Sequence, residues 1–64
     1  MKIQYFSDTD TVLVILNDNP VTETRDFDEN TVVDLDQNGS LVSITIEHAK
    51  EREGIPNFSY QIAV

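Results

Sequence analysis

"TVVDLDQNGSLVSITI", Thr31 to Ile46, admits two readings, and the choice between them decides the fold. Asp34, Asp36 and Asn38 at alternate positions followed by Gly39 imitate the start of a helix–loop–helix calcium site. Such a loop of about twelve residues ends on a bidentate Glu. Counted from Asp34, that place is held by Thr45, and Glu47 comes too late. The flanks "TVV" and "VSITI" are rich in β-branched residues, whose stiff χ1 favours strands over the helices a calcium loop needs. Asn-Gly between alternating apolar residues is a strong hairpin signal. With Asn38-Gly39 at the centre of the turn, Leu35 opposes Val42, Val33 opposes Ile44 and Thr31 opposes Ile46. On the other face Asp34 meets Ser43 and Val32 meets Thr45. Apolar residues share one face, so the stretch reads as a hairpin.

The same alternation extends toward the N-terminus. In "MKIQYF", Ile3 and Tyr5 point one way and Lys2 and Gln4 the other. "SDTD" (Ser7 to Asp10) is a turn cluster, and folding back around it sets Tyr5 against Val12 and Ile3 against Val14. "TVLVILN" is apolar on both faces, as expected of a central strand or one with a covered outer face. "NDNP" (Asn17 to Pro20) is another turn, and "VTETRDF" (Val21 to Phe27) reads as a solvated edge strand.

After Ile46 the alternation stops. "EHAKERE" (Glu47 to Glu53) carries helix formers, with Gly54 at a C-cap position and Pro56 beyond, which predicts a short helix whose Ile46 and Ala49 face the sheet. In the tail, residues 55–64, Phe58, Tyr60, Ile62 and Val64 alternate again, as in an extra strand or a segment exchanged between subunits. The expected fold class is therefore α+β: a small antiparallel sheet of about four to six short strands, a meander of hairpins over 1–46, with one short C-terminal helix over 47–53. All of it forms a single small domain, 1–64.

Composition narrows the function classes. A 64-residue chain without cysteine has neither a disulfide framework nor a Cys-based metal or redox site. The apolar run "VLVIL" (Val12 to Leu16) is far shorter than the ~20 residues a membrane helix needs, and the start lacks a signal-peptide pattern, so a cytoplasmic protein with no membrane association is expected. Twelve acidic against four basic residues give a net charge of −8. Nucleic-acid binding relies on Lys and Arg to neutralise phosphates, and only Lys2, Arg25, Lys50 and Arg52 are present, so nucleic acid is not an expected partner. The negative field favours a basic protein partner.

"MKIQYFSDTDTVLVIL" followed by "DLDQNGSLVSITIEHA" resembles the small bacterial family called domain of unknown function 2283. Lys2, Tyr5, Asp10, Val14, Leu16, Val33, Asp34, Asp36, Gly39, Leu41, Val42, Ile44, Ile46 and Ala49 occupy its pattern positions, covering roughly residues 1–53. The chain departs from that pattern in having Leu13 and Ile15 where the family has an aromatic and then a charged residue. The resemblance implies a compact antiparallel sheet with a short C-terminal helix and no established activity. It also implies genes placed beside small basic proteins of the ribonuclease-toxin type, hence an antitoxin-like role.

Candidate chemistry is sparse. His48 is the single histidine, and Ser7, Ser40, Ser43 and Ser59 sit in turns or strands with no nucleophile-elbow motif. Asp8, Asp10, Asp18, Asp26, Asp28, Glu29, Asp34 and Asp36 lie near turns, where short acidic side chains bond their own backbone. Gly39 and Gly54 do not make a phosphate loop. No enzyme activity, cofactor or dedicated metal site is expected; the alternative is a small metal-ion or ligand-binding domain using turn carboxylates. The leading expectation is an acidic interaction module whose partner contacts are Glu23, Asp26, Asp28 and Glu29. A further alternative is a purely homo-oligomeric structural protein. Surplus apolar surface at Leu13, Ile15, Phe58, Tyr60 and Ile62 points to self-association, as a dimer.

Overall fold

A computed structural model of the chain describes residues 1–49 and 63. Five antiparallel strands form one sheet: β1 (Lys2–Phe6), β2 (Thr11–Ile15), β3 (Glu23–Asp28), β4 (Thr31–Leu35) and β5 (Leu41–Glu47), in the order β1-β2-β5-β4-β3. The predicted β1–β2 register holds, with Tyr5 opposite Val12 and Ile3 opposite Val14. In the β4–β5 hairpin Thr31 faces Ile46, Val33 faces Ile44 and Asp34 faces Ser43, again as expected.

Two features of the sequence reading are corrected. The sheet is not a simple meander, because β2 pairs with β5 rather than with β3. Three strands joined by hairpins (β3, β4, β5) and a fourth, β2, lying beside the last of them make a Greek key. The α+β class is also overturned: among the described residues the fold is an antiparallel sheet without a helical element. Glu47, proposed as the first helical residue, is instead the last residue of β5, paired with Thr11. A neighbouring strand already supplies hydrogen-bond partners at Glu47, and those outweigh its helix propensity. The remainder of the proposed helix from residue 50 onward, and the tail contacts at Phe58, Tyr60 and Ile62, lie outside the described residues.

The turn at Asn38-Gly39 also differs in detail. Gly39 N donates to the Asp36 carbonyl at 3.0 Å and Asp36 N to the Ser40 carbonyl at 2.9 Å, so Gln37 and Asn38 are the central residues of the turn. Gly39 follows with φ 78°. This is a turn closed by a left-handed glycine, which adds one residue to the loop. The register therefore slips after Asp34, and Leu35 faces Leu41 instead of Val42. An Asp side chain explains the preference: Asp36 Oδ1 accepts from the Asn38 and Ser40 amides at 2.9 and 3.0 Å, bonds that an Asn38-centred turn would not offer.

The apolar rows run across the sheet. Ile3, Val14, Ile44 and Val33 stand side by side on one face, with Tyr5, Val12, Ile46 and Thr31 in the next row. Val12 is fully buried at 0% exposure, and Leu35, Val42 and Ala49 are the other buried apolar residues among those described. The crossover from β2 to β3 passes over the end of the sheet that holds the β4–β5 turn. Asn17 Nδ2 donates to the Leu41 carbonyl at 3.1 Å, Asn19 Nδ2 to Asp36 Oδ2 at 3.1 Å, and Thr22 N to the Leu35 carbonyl at 2.9 Å.

Val12→Ala removes two buried carbon groups from a site with no exposure and is expected to cost about 2 kcal/mol, lowering the melting temperature by roughly 10 °C in a domain this small. Gly39→Ala meets no atom within 4 Å, so its cost is conformational alone, about 1 kcal/mol. Thermal unfolding followed by circular dichroism checks both.

Candidate functional site

The polar residues that first suggested chemistry turn out to stitch the sheet. Asp34 Oδ1 accepts from Thr24 Oγ1 at 2.7 Å, and its Oδ2 accepts from Ser43 Oγ at 2.6 Å, joining β3, β4 and β5. Those two hydroxyls, Ser43 first, hold the carboxyl below its ordinary range, against a smaller opposing effect of burial. Asp36, only 8% exposed, receives two turn amides and the Asn19 amide. Its carboxyl is also held low, chiefly by the Ser40 amide, against burial, with Asn38 and Asn19 adding to the effect.

Both loop carboxylates of the calcium-like motif thus have their oxygens filled by the protein's own donors. Among the described residues no group of three or more His, Cys, Asp or Glu is placed to hold a metal ion. The depression beside Asp36, about 280 Å³, is lined by Asn19, Pro20, Thr22, Gln37 and Asn38. That volume is at the bottom of the ~300–1,000 Å³ range of small-molecule sites.

Around the β1–β2 turn a similar device recurs. Tyr5 Oη donates to Asp10 Oδ1 at 2.7 Å, and the Asp10 carbonyl accepts from Ala49 N at 3.0 Å. Asp10 sits at φ 55°, a left-handed conformation that short Asp and Asn side chains tolerate. Its hydrogen bond keeps the Tyr5 hydroxyl protonated above its usual range. His48, exposed and also left-handed at φ 54°, closes β5. Ser43, one of the serines weighed as a nucleophile, spends its proton on Asp34.

What remains for recognition is the edge. All six residues of β3 are exposed, and β3 ends the sheet. Of the four proposed contact residues, Glu23 is engaged by Arg25, whose Nη2 lies 3.2 Å from Glu23 Oε1 and whose Nε meets Oε2. That guanidinium lowers the Glu23 carboxyl from its ordinary range, by hydrogen bonding first and charge second. Asp28 Oδ1 accepts from Asn30 N at 2.9 Å and shapes the two-residue turn into β4. The Asp26 and Glu29 side chains carry no hydrogen bond or ion pair among the described residues.

Sequence reading missed the residue between them. The register shifts between Asp26 and Asp28, so Phe27 falls in a β-bulge and stands 75% exposed. The signal was available: Phe27 has Arg25 and Glu29 at the alternate positions, so no apolar stripe claims it. Leu13 and Ile15, proposed for self-association, are half-buried on β2, one strand in from the edge.

Fold and surface together define an acidic antiparallel-sheet domain whose polar motif residues brace turns and strand ends. The chain belongs to the family described as protein of unknown function (DUF2283), whose model matches residues 2–50. Comparison with curated proteins and with solved structures found no match. Among the described residues no helix is long and apolar enough to cross a membrane.

The two carboxylates give a pH prediction. Their folded-state pKa values lie below the unfolded value near 3.8, so the unfolded chain takes up protons first. The stability they supply is complete above pH ~5 and drains as pH falls through the unfolded and then the folded values. Asp34→Asn and Asp36→Asn should each lower the melting temperature at neutral pH and flatten its decline between about pH 4 and 2. Melting curves across that range check this.

Proposed function

We propose that the protein is a non-catalytic interaction module, antitoxin-like, whose β3 edge receives a basic protein. The observation that supports this most is Phe27, 75% exposed on a fully solvated edge strand with Asp26, Asp28 and Glu29 beside it. Exposed aromatics ringed by polar residues are the usual anchors of protein interfaces. An edge strand offers unpaired amides and carbonyls to an incoming extended segment. The carboxylates favour a segment rich in Lys or Arg and quicken its approach. A basic nuclease bound in this way would have its RNA-facing charge covered. At Asp34 and Asp36 the turn-carboxylate metal reading draws no support, since internal donors already occupy both side chains.

Co-expression with the products of its neighbouring genes, followed by affinity capture of the full chain, tests the proposal. Capture is expected at low salt, with association slowing as salt rises. The double variant Asp26→Lys, Glu29→Lys should cut the association rate by roughly tenfold, and Phe27→Ser should mainly hasten dissociation. Absence of binding at low salt overturns the proposal.

A further inference from the structure

Among the described residues the two edge strands of the sheet, β1 and β3, differ chemically. β3 carries Glu23, Asp26 and Asp28, so two copies meeting there would oppose like charges. β1, "KIQYF", carries no carboxylate, and its Ile3 and Phe6 are 45% and 43% exposed. A protein of net charge −8 can approach its own copy most easily along the edge that lacks negative charge. We infer that β1 is a self-pairing edge, joining two copies antiparallel about a two-fold axis into one continuous sheet.

The edge is complementary to itself. With the axis at Gln4, the middle of the strand, Ile3 of one copy lies opposite Tyr5 of the other, and Lys2 opposite Phe6. Opposed residues keep the same parity, so the face carrying Ile3, Val14 and Ile44 continues across the join. Lys2, opposite Phe6, then lies beside the β1–β2 turn of the second copy, which carries Asp8, and its long flexible side chain can reach toward that carboxylate. Neither Lys2 nor Asp8 has an ion pair or side-chain hydrogen bond among the described residues, so each is available to the other, and the two-fold makes the pair twice.

On the opposite face Phe6 would extend the apolar surface begun by Leu13 and Ile15 on the neighbouring strand. This places self-association on β1 and leaves β3 open, so it is independent of the basic-partner reading. A contact along five residues is smaller than a standard interface of ~1,600 Å², which predicts a weak, concentration-dependent dimer with Kd of roughly 10–500 μM.

Sedimentation equilibrium of the full chain from micromolar to millimolar concentration tests this, with circular dichroism confirming that each variant folds. A reversible monomer–dimer equilibrium is expected. Lys2→Glu and Asp8→Lys should each weaken it by about tenfold, and the charge-swapped double variant should return to within roughly threefold of the parent. Phe6→Glu should abolish the dimer and Asp26→Lys should leave it in place. A monomer at every concentration overturns the inference. So does a dimer indifferent to Phe6→Glu, lost with Asp26→Lys, or not restored by the charge swap.

Discussion

Everything in this sheet depends on β5 finding a partner on both sides at once. Each of Ser43, Ile44, Thr45 and Ile46 faces one residue of β2 and one of β4, as Ile44 faces Val14 and Val33. An antiparallel register has a period of two, so a one-residue slip on either side would turn the apolar rows over. Two fixed registers on one strand set the relative position of two hairpins that are far apart in sequence. Among the described residues the buried apolar side chains are few, Val12, Leu35, Val42 and Ala49, as expected of so small a sheet.

The polar residues make more sense in that light. Asp36 serves the β4–β5 turn and, through Asn19, the crossover that brings the chain from β2 to β3. Asp34 couples β4 to strands on both sides through Thr24 and Ser43. Asp10 ties Tyr5 of β1 to the residue that follows the end of β5 by two positions. Asn30, in the β3–β4 turn, accepts from Glu47 N at 2.7 Å and so fixes the same end of β5. Side-chain bonds of this kind substitute for hydrophobic area that a short chain cannot bury. They also give Tyr5, Asp10, Asp34 and Asp36 a structural role.

Much of this was legible in the sequence. Local pairings followed from alternation and turn residues, because the register of a hairpin is a short-range property; Tyr5 with Val12 and Val33 with Ile44 are examples. The insertion of β5 beside β2 was not legible, since pairing between distant strands leaves no mark on spacing. The placement of Glu47 in a helix failed for a related reason: propensity is weak, and a ready neighbouring strand overrides it. At the surface, charge pointed to β3, but counting carboxylates could not tell that Glu23 is paired with Arg25 or that a bulge presents Phe27. Those depend on side-chain geometry at one place in the fold.

The placement of β5 is also the most direct thing to measure. Nuclear Overhauser contacts in the labelled full chain should connect Ile46 with both Val12 and Thr31, and Ile44 with both Val14 and Val33. Contacts from β2 to β3 in place of those to β5 would describe a sequential meander and contradict the account.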